Sequence, residues 1–274
     1  MADIDQVTPA PAHISFTIPR NTFIERLFSR WLLVVAFFVA WEVAPRTGLV
    51  DRTFLPPFSE ILADGARLVG NGQLLTHVEA SLARALTGLA VAIVIGIPLG
   101  LAIGWYGRLA ELVTPLLELF RNTAALALLP VFILLLGIGE ASKAALVVYS
   151  CLWPILLNTI SGVHGVDPLL IKAARAMGLS PVRLFWKVIL PAAVPTIFVG
   201  VRLAGAYSLV VLVAAEMIGA KSGLGYLIIY AQYNFQIQDM YVGILTITII
   251  GLVFNRGLMA LERHFTSWKP AAVR

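Results

Sequence analysis

The sequence predicts an all-α membrane protein, a bundle of about six transmembrane helices. Hydrophobic residues make up 59% of the 274 residues and charged residues only 13%, about half the charged fraction of an ordinary soluble domain. The apolar residues cluster in runs near the length of about 20 residues that crosses a bilayer. No strand-like alternation is seen. The net charge of +5 therefore indicates Lys and Arg gathered on one side of a membrane, not nucleic-acid binding.

The chain divides into a tail, a membrane domain and a second short tail. Residues 1–30 are predicted to be a cytoplasmic tail with a basic amphipathic lead-in at 20–30, which lies on the inner membrane surface. Residues 31–262 form the transmembrane domain, and residues 263–274 a cytoplasmic C-terminal tail. The N-terminus is no secretory signal, because the first apolar run begins only near Trp31.

Six apolar segments are predicted to span the membrane. The first starts near Trp31, with the sequence WLLVVAFFVAWEVA and Glu42 near its outer end, and is followed by a mixed segment, 45–80. In that segment FLPPFSEILADGARLV predicts a turn and an interfacial helix, with Ser59 as its N-cap. The other five spans cover roughly 82–104, 112–137, 143–160, 196–219 and 240–259.

The second span carries small residues at every fourth position. Small residues let helix backbones approach closely, which drives helix association in lipid. This face is predicted to pack on another helix, either of the same chain or of a second copy, while Pro98 predicts a kink in the same helix. The small residues are Gly88, Ala92, Gly96, Gly100 and Gly104.

The basic residues orient the six predicted spans, because cytoplasmic loops carry an excess of Lys and Arg. With both termini inside, the outer segments hold five basic residues: Arg46, Arg52, Arg67, Lys143 and Lys221. Arg84, Arg121 and Arg202 fall in or near spans and are not assigned to a side. The twelve inner ones are Arg20, Arg26, Arg30, Arg108, Lys172, Arg175, Arg183, Lys187, Arg256, Arg263, Lys269 and Arg274.

The connection 161–195 is predicted to form two short amphipathic helices joined at a glycine elbow. Asp167-Pro168 and Ser180-Pro181 are good helix starts, because each combines an N-cap with a proline suited to the first turn. Gly178 supplies the left-handed residue that ends the first helix. Pro191 and Pro195 are expected to close the unit before the next span. The apolar faces, Leu169, Leu170, Ala173, Met177 and then Val182, Phe185, Trp186, Ile189, suit either lipid headgroups or a protein partner.

This connection resembles the signature loop of ABC-importer permeases, Glu-Ala-Ala, three residues, Gly, nine residues, Ile-x-Leu-Pro. Lys172 replaces the usual Glu, which puts in doubt any salt bridge of that Glu but not docking itself, and Val188 replaces the usual Ile. The resemblance implies a coupling loop that docks on a cytoplasmic ATPase. The matching residues are Ala173, Ala174, Gly178, Leu190 and Pro191, and Lys172 and Val188 complete the loop at its two departing positions.

The resemblance covers roughly 30–268 and is strongest to the branch that imports taurine, alkanesulfonates, nitrate or bicarbonate. It rests also on FLPPFSEIL at 54–62, LLPVFILLLGIGEASK at 128–143 and VAAEMIGAKSGLGYLI at 213–228. It implies the type I importer fold, a bacterial inner-membrane location, two ATPase subunits that bind ATP and Mg, a second copy of this chain, and a periplasmic or lipid-anchored binding protein. Members often carry Arg-Pro-x-Pro where this chain has 121–124, so a softer kink is expected there.

No cofactor, metal or catalytic site is predicted in this chain. Residues 219–222 only faintly resemble a phosphate loop, since the glycines at the required spacing are missing. The four histidines are scattered without metal-ligand spacing, and no zinc-protease or nucleophile-elbow motif occurs. Cys151, the single cysteine, is predicted to be a small buried hydrophobe. ATP hydrolysis is therefore assigned to a separate subunit.

Charged and polar side chains within spans are costly and default to functional hypotheses. Arg121, Asn122, Arg202 and Glu216 are candidates for the translocation path of a small anion, with Glu118 as a further candidate. Interhelical ion pairs are the alternative for each charge, and Arg202 and Glu216 are too far apart to pair with each other. A self-contained secondary transporter or channel is the alternative function. It would need paired acids within spans.

Overall fold

The computed structural model describes the backbone of residues 23–265 and the side chains of residues 31–265. Within that part every regular element is helical, which confirms the all-α prediction. Residues 1–22, which make up most of the predicted N-terminal tail, and residues 266–274 lie outside the described residues. The α-helices are α1 (Phe23–Arg46), α2 (Phe58–Gly70), α3 (Gln73–Trp105), α4 (Gly107–Arg121), α5 (Leu129–Leu136), α6 (Glu140–His164), α7 (Pro168–Ala176), α8 (Pro181–Leu184), α9 (Leu190–Glu216), α10 (Leu224–Tyr233) and α11 (Ile237–Phe265).

Four stretches of the described residues are long and apolar enough to cross a bilayer. They are α3, α6, the continuous run Pro181–Glu216, and α11. A fifth is the bent pair Gly107–Arg121 and Ala125–Leu136, if the pair is one crossing. Helix α1 covers the first predicted span, and its large apolar side chains between residues 31 and 39 are exposed, as side chains facing lipid would be.

The third predicted span is two helices that meet at 85°, so the expectation of a softer kink was wrong. Two polar side chains end α4 without proline. Asn122 Nδ2 donates to the Glu118 carbonyl at 2.7 Å, and Thr123 Oγ1 donates to the Leu119 carbonyl at 3.2 Å. These bonds satisfy carbonyls that a continuing helix would use. A 3₁₀ turn, Ala125–Leu128, and Pro130 then start the second half.

The small-residue face of α3 packs within the chain, on α6. Gly88 faces Val147, Gly96 faces Ile155, Gly100 faces Thr159 and Gly104 faces Val163. A methyl group at Gly100 would lie 2.6 Å from Thr159 Cβ, too close for any real contact. Both series advance by eight and then by four residues in the same direction, so α3 and α6 are parallel.

Because α3 and α6 run in the same direction, the chain between them must cross back over the membrane. Helices α4 and α5 are the segment that lies between them and could make this crossing. Helix α9 then runs antiparallel to α6, because Gly162 contacts Ala193 whereas Gly200 contacts Pro154. The second pair of residues lies farther along α9 but earlier in α6. These relative directions are the ones that the six-span prediction requires.

Helix α2 is tied to α1 and α11 by polar side chains. Ser59 is not its N-cap, contrary to the prediction, because the helix starts at Phe58 with Pro57 in the cap position. The carboxylate of Glu42 on α1 performs the capping, accepting bonds from the Ser59 backbone N–H at 2.9 Å and its hydroxyl at 2.8 Å. The cap thus comes from another helix, which a local pattern could not reveal.

A single arginine fastens the other end of α2 to α11. Arg67 Nε donates to Asp64 at 2.8 Å and Arg67 Nη2 donates to Asp239 on α11 at 2.7 Å. The Arg67 hydrogen bond holds the pKa of the Asp64 carboxyl below its ordinary value. The amphipathic helix α2 therefore lies firmly on the bundle.

The second helix of the 161–195 connection runs without a break into the next span. Pro191 and Pro195 were expected to separate them, but both lie inside α9. Proline removes an i→i−4 hydrogen bond and its ring crowds the preceding turn. A π-helical turn, Phe185–Ile189, stands directly before Pro191, and its wider winding accommodates the ring.

Candidate functional site

The 161–195 connection has the predicted local geometry. The Asp167 carboxylate accepts the Leu169 N–H at 2.8 Å and begins α7. Gly178 has a φ of +74°, which confirms the left-handed elbow. Ser180 Oγ accepts the Arg183 N–H at 3.5 Å and begins α8. Side chains within the connection itself therefore fix its two helices.

The connection exposes a set of large apolar side chains. Leu169, Met177, Val182 and Trp186 are each more than 60% exposed. The predicted second face is divided, because Ile189 is buried in the core. Phe185 packs edge-on against Trp105 of α3 and is half-buried. Of the signature residues, Ala174 is buried, Val188 and Leu190 are half-buried, and Lys172, Ala173, Gly178 and Pro191 are exposed.

A groove of about 620 Å³ opens along α6, α9 and the bend between α4 and α5. Two of the predicted path residues, Arg121 and Asn122, line it. No side chain of the groove wall is an Asp or Glu. Its lining residues are Arg121–Leu126, Tyr149, Ser150, Trp153, Pro154, Leu157, Asn158, Leu203, Tyr207, Val210 and Val211.

Two other predicted path residues do not line this groove. Arg202 Nη1 bonds Glu262 of α11 at 3.0 Å, in a partly buried ion pair. Glu216 is completely buried at the far end of α9, in an ion pair with Arg84. Glu118 is exposed on α4, so the described structure does not bring the two acids Glu118 and Glu216 together.

Arg84, on α3, is the centre of the most connected polar cluster in the described residues. Its side chain is only 8% exposed. Nη1 donates to Glu216 at 2.6 Å and to the Ser222 carbonyl at 2.8 Å, while Nη2 donates to Glu140 at 2.7 Å and to Ser222 Oγ at 3.0 Å. Nε also donates to Glu140. All five N–H groups of the guanidinium are thus used.

The same face of α3 holds the segment that joins α9 to α10. Ser81 Oγ donates to Glu216 at 2.8 Å and accepts the Leu224 N–H, also at 2.8 Å. The Gly223 N–H donates to His77 Nδ1 at 3.1 Å. His77, Ser81 and Arg84 therefore form one stripe that binds residues 216–225 to α3.

Sequence reasoning left Arg84 unassigned, although a signal for it was present. His77, Ser81 and Arg84 recur at helical spacing on a helix that is otherwise strongly apolar. Such a stripe predicts polar partners within the bundle. The identity of those partners, from α6, α9 and the segment after α9, could not be read from spacing alone.

Comparison with known proteins identifies, over most of the chain, the transporter family that the 161–195 connection resembles. Residues 76–268 match the family described as binding-protein-dependent transport system inner membrane component. The chain belongs to this family. It is a permease by that membership, and the match includes the signature loop, the groove and the Arg84 cluster.

Two relatives and one solved structure show how the family is represented. The taurine transport system permease protein TauC of Escherichia coli (strain K12) is 35% identical over 86% of this chain and 87% of its own length. The bicarbonate transport system permease protein CmpB of Synechocystis sp. (strain ATCC 27184 / PCC 6803 / Kazusa) is 27% identical over 84% and 85%. An inward-facing structure of the MetNI methionine ABC transporter has a TM-score of 0.64 at 21% identity, over 71% of this chain and 96% of that one. The structural likeness shows a shared type I importer permease fold.

We predict that Arg84→Gln lowers the free energy of unfolding by about 3–5 kcal/mol, because it leaves two acidic partners without their buried counter-charge. Arg202→Gln is the matched control, since the same substitution removes a more exposed pair and should cost about 1 kcal/mol or less. Thermal unfolding of the detergent-solubilised protein measures both. Equal losses in the two variants would contradict an anchoring role for Arg84.

Proposed function

We propose that this permease forms the translocation path for a small anionic solute of the sulfonate, taurine, nitrate or bicarbonate type. The observation that carries the proposal is Arg121, which lines the groove and has no ion pair among the described residues. The absence of acidic side chains from the groove wall favours an anion over a cation. The named taurine and bicarbonate relatives support the same class.

Energy comes from two separate ATPase subunits that bind ATP and Mg, and the 161–195 connection is the segment that docks on them. The exposed apolar side chains of that connection, such as Met177 and Trp186, support a protein partner. Hydrophobic side chains held on short capped helices are suited to a groove in another protein. The permease chain itself remains non-catalytic.

The permease lies in the bacterial inner membrane as domain 31–262, with both tails, 1–30 and 263–274, in the cytoplasm. The excess of basic residues on the 161–195 side supports this orientation. An external binding protein, periplasmic or lipid-anchored, delivers the solute to the opposite side.

We predict that a cysteine at position 180 reacts only with reagents that reach the cytoplasm. Ser180→Cys is exposed in the connection, and the native Cys151 is buried, so background labelling should be low. Lys221→Cys, exposed beyond the opposite end of α9, is the control and should react from outside. Labelling of position 180 from outside intact cells would contradict the orientation.

We predict that Gly178→Val keeps the permease in the membrane but loses the ATPase. A β-branched residue is strongly disfavoured at a φ of +74°, so α7 and α8 must tilt relative to each other. Gly107→Val is the control, because Gly107 starts α4 without a positive φ and with free space for a side chain. Affinity purification beside a membrane immunoblot measures both variants.

Full ATPase binding and uptake by Gly178→Val would refute the docking role.

The importer is expected to contain two permease chains with two ATPase subunits, because ATP-sandwich hydrolases act in pairs. Native mass spectrometry of the wild-type complex measures this stoichiometry. A single permease copy in the complex would refute the pairing.

The solute class is tested on the cognate binding protein. We expect taurine, an alkanesulfonate, nitrate or bicarbonate to raise its melting temperature, because a ligand that binds only the folded state stabilises it. Neutral sugars and basic amino acids are the controls. A response to a neutral sugar or a basic amino acid alone would overturn the assignment.

A further inference from the structure

Trp153 presents the one buried side-chain nitrogen or oxygen that has no hydrogen-bond partner among residues 31–265. Its indole Nε1–H is completely covered and meets no acceptor. Buried polar groups are nearly always paired, so an unpaired one calls for a specific explanation. By contrast, the indole of Trp41 donates to the Pro56 carbonyl at 3.2 Å. The indole N–H of Trp41 therefore has an acceptor, whereas that of Trp153 has none.

Neighbouring rings hold the Trp153 indole in its orientation. Phe120 stacks on it with ring centres 6.1 Å apart and planes at 9°, and Tyr149 meets it edge-on at 5.5 Å. The Tyr149 hydroxyl donates to the Phe120 carbonyl at 2.7 Å, which fixes the two neighbours to each other. The indole is thus unable to turn toward an acceptor elsewhere in the bundle without breaking this cluster.

Trp153 also belongs to the wall of the groove that contains Arg121. The groove wall carries no carboxylate, and Arg121 has no recorded hydrogen bond or ion pair within the described part of the chain. The wall therefore offers a positive charge, and one of its residues holds an N–H donor that is covered in this structure. A donor that is covered from water loses no hydrogen bond to water when it binds an anion. The new hydrogen bond is also strong, because the surroundings have a low dielectric constant.

We propose that the Trp153 indole N–H is a hydrogen-bond donor to an oxygen of the transported anion, and that it helps determine which solutes pass. This inference rests on the proposed function. The solute reaches Nε1 when the groove widens during the exchange between inward- and outward-facing states. Arg121 supplies charge, which any anion satisfies, whereas the indole requires an acceptor atom at one place. A tryptophan that only fills space would have no such role.

The test replaces Trp153 with 3-benzothienylalanine, in which sulfur stands where the indole N–H was and the ring shape is kept. The full importer, with its ATPases and binding protein, is reconstituted in vesicles, and uptake of radiolabelled taurine, of an alkanesulfonate, of nitrate and of bicarbonate is measured. We expect an unchanged melting temperature and a fall of about tenfold or more in uptake of the transported anion, the usual consequence of losing a bond to a charged group.

The same replacement at Trp41 is the matched control. There the lost N–H leaves the Pro56 carbonyl without its donor, so we expect a lower melting temperature and normal uptake per folded importer. The variant Trp153→Phe adds a second readout, because it removes the donor from a ring that still stacks on Phe120. It should also lose uptake.

Three results would overturn the inference. Normal uptake by both Trp153 variants would show that the donor is not used. A fall in melting temperature at position 153 as large as that at position 41, with uptake reduced only in proportion to folded protein, would show a purely structural role. A wild-type importer that takes up none of the four solutes would overturn the proposed solute class itself, and the Trp153 role with it.

Discussion

The close approach of α3 and α6 is the constraint on which the rest of the bundle depends. In lipid there is little hydrophobic gain when two helices associate, so contact must come from backbones packed closely together. Glycines on α3 let the β-branched side chains Val147, Ile155 and Thr159 of α6 sit directly against the α3 backbone. This seam fixes α6 in rotation as well as in distance. The opposite face of α6 is thereby turned toward the groove, where Tyr149, Trp153 and Leu157 line the wall.

The arginines of the spans differ in how completely they are paired. Arg84 uses all five of its N–H groups on neighbouring elements, so no donor is left for a solute. Arg202 is committed to Glu262. Arg121 alone of the three reaches the groove without a recorded partner. Because a charge in a membrane is costly unless satisfied, the unpaired Arg121 is the one that we propose to meet the solute.

The continuous run Pro181–Glu216 joins three parts of the protein. Its first turns belong to the proposed ATPase-docking connection, its middle carries Tyr207 on the groove wall, and its last residue is held by Arg84. We propose that a displacement of the docking end is transmitted along this run toward Glu216, the residue that Arg84 holds. The π turn before Pro191 is the one irregularity in this run, and such turns are frequent at functional sites.

The sequence alone determined the features whose causes are local. The apolar runs determined the helical class. The two short helices and their elbow followed from Asp167-Pro168, Gly178 and Ser180-Pro181, because caps, prolines and a left-handed glycine act within a few residues. Tertiary structure decided the partners. The small residues of α3 pack on α6 of the same chain, and Glu216 belongs to the Arg84 cluster. The chain also bends sharply at 121–124, where the sequence has no proline. These outcomes depend on which helices become neighbours, and an ion pair between residues 132 positions apart leaves no trace in local spacing.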